Sequence, residues 1–308
     1  MKIVFVTEMG FIGKVPRTHL NMRTEFAWIC ALNADHYHFE RVDGMPNYDL
    51  AVVIIPKKNI EKWVMSGILK KLKQYCTRVA VMQEGPHWYY QDYPIHEQIW
   101  YYNTLVESDI IYVHNAKDKV YYEGLTNHSD IRVLPSLMIE DSVKVIPRVA
   151  REGVVIGGNF VSWYNGFDSY IVANEVEEIV HAPSMGRRQP GEEHLLKHLP
   201  YLSWTEWIYT LNKFKYGVHL MRAFAAGTFA LNCAYLGIPC VGYDGLDTQS
   251  VCHPNLTVPV GDLITAKKLM KQLKEDNSFY LEQSEIAKAG YRARFSEEVF
   301  LSNFNSHL

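Results

Sequence analysis

The chain reads as an α/β protein made of two Rossmann-like domains facing a cleft. Short apolar runs that end in Gly, Pro, Asn or Asp alternate with longer segments of helical spacing, the signature of parallel sheets. The alternation stops at a Pro-containing stretch near mid-chain and then restarts. A length of 308 residues suits two domains, each large enough to enclose its own core.

In the first half, strands are expected at Lys2–Thr7, Asp49–Pro56, Arg78–Gln83, Ile110–Val113 and Ile131–Leu134, and helices at Asn21–Asn33, Asn59–Tyr75, Pro94–Ser108 and Ala116–Leu125. Ser142–Arg151 holds Pro147, three basic residues and no clear period, so it reads as the linker. Gly153–Gly158 then supplies a new first strand and a glycine turn, Phe167–Ala173 begins a helix, and Val176–His181 is the next strand. Further on come a strand at Tyr216–Leu220, a helix at Thr228–Leu236, a strand at Pro239–Gly242, a helix at Ala266–Lys274 and a polar amphipathic stretch, Glu282–Ser302. The expected division is residues 1–147 for the first Rossmann-like domain, 148–290 for the second, and a terminal helix in 291–308 that packs back on the first domain.

Composition narrows the class. With 31 Lys+Arg against 34 Asp+Glu and 48% hydrophobic residues, the chain is not a disordered, collagen-like or disulfide-scaffold protein. Five scattered cysteines without a C-x-x-C read as reduced, mostly buried residues. Runs such as Asp49–Pro56 fall far short of the ~20 residues a membrane span needs, and the N-terminus is strand-like, so a cytoplasmic location without a membrane partner is expected.

Ligands of open α/β sheets sit outside the carboxyl ends of the strands, and four segments there carry candidate chemistry. Gly157-Gly158-Asn159-Phe160 follows a strand and, with Ser162, Tyr164 and Asn165, precedes a helix; it suits a close-approaching phosphate or a plain tight turn. It is not the G-x-G-x-x-G of a dinucleotide fold. Ala225-Ala-Gly227-Thr228 leads into a helix whose free amides attract an anion, and Asn232, one turn in, is spaced to reach a sugar hydroxyl; ordinary helix packing explains the same pattern. The loop Gln83–Asp92 offers Glu84, His87 and Asp92 as proton acceptors, with Glu84 first after the strand, and Trp88 as a stacking surface; capping and core packing are the plainer explanations. The long polar loop Glu8–Glu25 carries Lys14, Arg17, His19 and Arg23, which suit an anionic ligand or simple solvation.

Gly153–Asp262 resembles the GT-B glycosyltransferases, whose second domain has a small-residue loop, a helix that contacts the sugar nucleotide and a G-x-P return, here Gly237-Ile-Pro239. Several segments also look like the DNA β-glucosyltransferases of T-even phages, which glucosylate hydroxymethylcytosine in duplex DNA. These are Gly157–Phe160, Val15-Pro16 through Thr24-Glu25, and Glu84 ahead of its aromatic-polar loop. Asn232 stands where many GT-B families hold the donor ribose with an acidic residue, and Val161 and Phe229 stand where the phage enzymes have arginines.

The resemblance implies a UDP-sugar or other nucleotide sugar as donor, no required cofactor and no metal, with Glu84 as base in an inverting transfer. Its acceptor would be double-stranded DNA carrying hydroxymethylated bases, in a host's cytoplasm if the gene is a phage's. Donor contacts would come from Gly158, Asn159, Phe160, Arg187, Arg188, His219, Arg222, Gly227, Thr228 and Asn232, and acceptor contacts from Lys14, Arg17, His19, Arg23, His87, Trp88 and Asp92. Residues 57–78 hold seven basic side chains and one acidic one, a local face for backbone phosphate or an ordinary solvated surface, within a net charge of −3. A saccharide or other small hydroxylated acceptor, and a binding protein without transfer, are the other readings.

Overall fold

The computed structural model describes residues 1–143, 146–147, 149–161, 164–184 and 188–306. By contacts the chain falls into two compact units, one of residues 1–17, 25–135 and 224–226, the other of residues 18–24, 136–223 and 227–308.

The first unit holds strands β1 (Ile3–Thr7), β2 (Gly13–Lys14), β3 (Asp35–His38), β4 (Tyr48–Ile55), β5 (Cys76–Gln83), β6 (Ile110–Val113) and β7 (Ile131–Val133). Its helices are α1 (Glu25–Ala31), α2 (Ile60–Ser66), α3 (Ile68–Leu72), α4 (Ile95–Glu107) and α5 (Ala116–Thr126). The sheet order is β2-β3-β1-β4-β5-β6-β7, parallel throughout except for the β2–β3 pair. The chain runs outward in both directions from β1 and β4, so the crevice where ligands of such sheets bind lies at their carboxyl ends. β1 and nearly all of β4 are buried, as a central parallel strand covered by helices requires.

Two expected helices differ. The one expected over Asn59–Tyr75 is two helices, because Gly67 adopts φ +60° between α2 and α3 and ends the first in the left-handed conformation. The one expected over Asn21–Asn33 begins only at Glu25, since Thr24 has φ +45°, incompatible with a helix. A β-branched residue in that region is a genuine outlier costing about 1–3 kcal/mol, and such strain concentrates at functional sites.

The second unit holds β8 (Val154–Ile156), β9 (Val180–Ala182), β10 (Leu196–His198), β11 (Tyr216–His219), β12 (Cys240–Tyr243) and β13 (Thr257–Val258). Its helices are α6 (Gly166–Ala173), α7 (Trp204–Leu211), α8 (Thr228–Leu236), α9 (Asp247–Cys252), α10 (Leu263–Glu275), α11 (Asn277–Arg294) and α12 (Glu297–Ser306). All six strands are parallel in the order β10-β9-β8-β11-β12-β13, which places a second switch point between β8 and β11. The strand expected at Val176–His181 starts at Val180, after a turn off α6.

Of the expected linker Ser142–Arg151, residues 144, 145 and 148 lie outside the described residues. Arg151 donates to the carbonyls of Asn212, Leu236 and Gly237, which satisfies the otherwise unpaired last turns of α7 and α8. Residue 291, the expected start of the terminal element, lies inside α11, and α12 belongs to the second unit. All five cysteines are free and four are buried. Among the described residues no helix is long and apolar enough to cross a membrane.

Candidate active site

In the first unit, charged side chains gather where β1, β4 and β5 end. Glu8 follows β1, Lys57 follows β4, Glu84 follows β5 and Glu25 opens α1. Lys57 Nζ lies 2.8 Å from Glu84 Oε1. The Glu84 amide continues the ladder to the Ile55 carbonyl (2.8 Å), and Gly85 then turns the chain at φ +95°. Gln83 braces this turn, donating to the Pro86 carbonyl at 2.6 Å and accepting from buried Tyr101 and Tyr122. Glu84 is therefore held at a braced strand end, with Oε1 on Lys57 and its side chain 41% exposed.

Glu25 is a residue to which the sequence pattern assigns no role. Its carboxyl is pushed up to about 7, chiefly by burial, with the negative charges of Glu84 and Glu8 adding to the shift while its own backbone hydrogen bond and Lys57 oppose it. The folded state thus keeps a proton that the unfolded chain, titrating near 4.5, has lost. Stability must fall as pH rises through the window from about 4.5 to about 7, and stay lower above it. Glu25→Gln is expected to raise the melting temperature at pH 8 by the equivalent of about 2 kcal/mol and leave it nearly unchanged at pH 4. Equal shifts at the two pH values would refute the protonated carboxyl.

His87 stacks on Tyr121 with ring centroids 3.9 Å apart, and its Nδ1 is 3.5 Å from buried Asp118. Trp88 is 37% exposed and Asp92 is exposed on the same loop. Lys14 pairs with Asp35 at 3.1 Å and donates to the Asn33 carbonyl, so it tethers β2 to β3. Arg17 is exposed in the first unit, whereas His19 and Arg23 belong to the second; His19 Nδ1 accepts from the Asn21 amide at 3.1 Å, a turn contact.

In the second unit the glycine turn is explained by its own packing. A Cβ on Gly157 would stand 2.1 Å from the His219 ring, one on Gly158 would stand 2.5 Å from Tyr164, and one on Gly166 would stand 2.1 Å from the Asn159 carbonyl oxygen. Asn159 is buried, with Oδ1 accepting from the Val161 amide, and the Phe160 amide donates to buried Glu192, which also binds His198 at 2.7 Å. Glu192, another residue missed in the sequence, clamps this turn. His219 was expected to help neutralise phosphate, but burial pushes it down to about 4, so at neutral pH it is an uncharged packing residue.

Gly227 (φ +65°) caps α8, and a Cβ there would meet Thr248 Oγ1 at 2.2 Å. Beside that cap lies a pocket lined by Arg23, Gly157, Trp204, Trp207, Thr228 and Asn232, and an adjoining pocket that shares Arg23 and Trp207 opens onto Tyr201. Asn232 borders the pocket, yet it is 2% exposed and its amide is engaged. Oδ1 accepts from Trp207 Nε1 at 2.9 Å and Nδ2 donates to Met138 Sδ at 3.1 Å. Arg188 is exposed and donates to Ser184; Arg222 is held by Asp168; Arg187 lies outside the described residues. Among the described residues no three His, Cys, Asp or Glu side chains are grouped to hold a metal ion.

Solved structures decide the fold. Sucrose-phosphate synthase of Thermosynechococcus elongatus superposes with a TM-score of 0.68 at 10% identity, over 99% of this chain and 98% of that one. The Anabaena protein HepE, bound to UDP and glucose, gives 0.68 at 11% identity over the whole of both chains. An α-glucosyltransferase, bound to UDP and a 13-mer DNA containing an HMU base, gives 0.65 at 13% identity over 100% and 99% of the two chains. The fold is GT-B. No protein-family model matches the chain, and no curated protein matches it in sequence. At these identities the GT-B likeness extends to architecture alone, and the chemistry has to come from the side chains.

Proposed function

We propose that the protein is a glycosyltransferase that moves a sugar from a UDP-type nucleotide sugar, held by the second unit, to a hydroxyl acceptor held by the first. The observation that carries this reading is Glu84, a part-exposed carboxylate at the carboxyl end of β5 with Oε1 on Lys57. Transfer to a hydroxyl needs a group to take its proton as the anomeric carbon is attacked, and a braced carboxylate does so without reorganisation. UDP is bound in both HepE and the α-glucosyltransferase, which supports the choice of donor. The departing diphosphate would meet Arg188 and Arg222 and the amides at the start of α8 instead of a metal ion. Direct displacement with Glu84 as base inverts the anomeric centre, so an α-configured donor yields a β-linked product.

The preferred acceptor is a hydroxymethylated pyrimidine in double-stranded DNA. The HMU-containing DNA bound by the α-glucosyltransferase supports it, as do exposed Lys58, Lys62, Lys70 and Lys73 on the α2–α3 side of the first unit. A saccharide acceptor is the second reading, favoured by the likeness to sucrose-phosphate synthase. Incubation with a panel of UDP-sugars, following UDP release with and without hydroxymethylated DNA or monosaccharides, tests both. Release that requires the modified DNA, and that weakens steeply between 50 and 200 mM salt, is the expected outcome. Release only with saccharides would replace the acceptor, and UDP binding without any release would make the protein a binding module.

A further inference from the structure

Asp168 is nearly buried at the start of α6, and one of its oxygens, Oδ2, collects three donors: Asn165 Nδ2 at 2.6 Å, Tyr243 Oη at 2.8 Å and Arg222 NH2 at 2.9 Å. Asn165 is itself anchored to the Leu220 carbonyl at 2.9 Å. The group therefore joins the chain leaving β8, the loop after β11 and the end of β12, on both sides of the second unit's switch point. The two partners differ in burial: the Arg222 side chain is 57% exposed against 12% for Asp168. Arg222 thus combines an anchored NH2 with a largely exposed guanidinium, and a planar fork held on one side is preorganised for a phosphate group on the other.

We infer that Asp168 is a positioning residue for anion binding: it fixes Arg222, with Tyr243 beside it, to receive the diphosphate of the donor. The inference rests on the proposed donor site in this unit. Burial favours the protonated acid, but the hydrogen bonds from Asn165, Tyr243 and Arg222 outweigh it and hold Asp168 below the usual carboxylate range, which keeps the anchor charged at neutral pH.

Charge alone predicts the opposite of positioning. Removing a carboxylate beside an anion site should tighten binding, whereas loss of the anchor should loosen it. Titration calorimetry of the full chain with inorganic pyrophosphate and with UDP separates the two. Arg222→Ala is expected to weaken pyrophosphate binding about tenfold, and Asp168→Asn to weaken it by a similar factor with the melting transition retained. The double variant should lose no more than Arg222→Ala alone, since coupled groups are not additive. Tighter binding in Asp168→Asn, additive losses, or pyrophosphate affinity indifferent to Arg222 would each overturn the role. Tyr243→Phe keeps the packing and checks the anchor through a second partner, with a smaller loss expected. Pyrophosphate binding that depends on both residues in a protein that transfers no sugar would sink the transferase reading and leave this one standing.

Discussion

Replacing Glu84 with glutamine is expected to lower the turnover of sugar transfer by about 10²–10⁴-fold, the usual contribution of a positioned general base, while UDP affinity stays within about twofold. The substitution is isosteric, and the carboxamide oxygen it introduces could still accept from Lys57 Nζ, now 2.8 Å from Glu84 Oε1, so the strand end and its tyrosine brace should persist. A second readout comes from Glu25. Part of its upward shift comes from the Glu84 charge, so in the variant it should titrate below about 7, and the pH at which stability falls should move down with it. Turnover retained within threefold of the parent would remove Glu84 from the chemistry and direct attention to His87, whose ring is set against Tyr121 and Asp118.

Gly166→Ala is expected to be the most destabilising single-methyl change in the second unit. The added carbon would lie 2.1 Å from the Asn159 carbonyl oxygen, 2.4 Å from its carbon and 2.8 Å from the Gly158 oxygen. These are backbone atoms, and the Gly166 amide already donates to the Asn159 carbonyl at 3.0 Å, so no rotamer change relieves the clash. Overpacking of this kind costs about 3 kcal/mol or more, roughly 5–10 °C in melting temperature, and should displace the glycine turn enough to abolish UDP binding. Gly124→Ala is the control: its added carbon meets open space within α5, and better helix propensity should hold or slightly raise the melting temperature. Equal thermal behaviour of the two variants would show that the turn yields, contrary to its packing.

The elements visible in the sequence were those with long apolar runs or clear punctuation. β1, β4, β6 and α8 carry both, and α8 lies within the bounds that Gly227 and Gly237 announce. β3, Asp-His-Tyr-His, and β10, Leu-Lys-His, are short and polar, and they become strands only because a neighbouring strand offers a ladder. α7 did have a signal in the sequence, the Ser203/Glu206 capping box. Of the proposed site, the place of Glu84 directly after β5 was legible because it is a statement about order along the chain. Glu25, Glu192 and Asp168 were not, because their roles depend on which distant groups surround them. His219 shows the same limit in reverse, since a histidine's charge is set by burial, which its neighbours in sequence do not disclose.

In the proposed reaction a sugar leaves a nucleotide and arrives on a hydroxyl with Glu84 as base. The most direct test is mass spectrometry of hydroxymethylated DNA after incubation with UDP-glucose and either the parent protein or Glu84→Gln, with the anomeric configuration of any product read by NMR. A hexose on the hydroxymethyl base is expected with the parent, in β linkage, and a yield reduced at least a hundredfold in the variant. An α-linked product, or equal yields from the two proteins, would rule out Glu84 as the base of an inverting transfer.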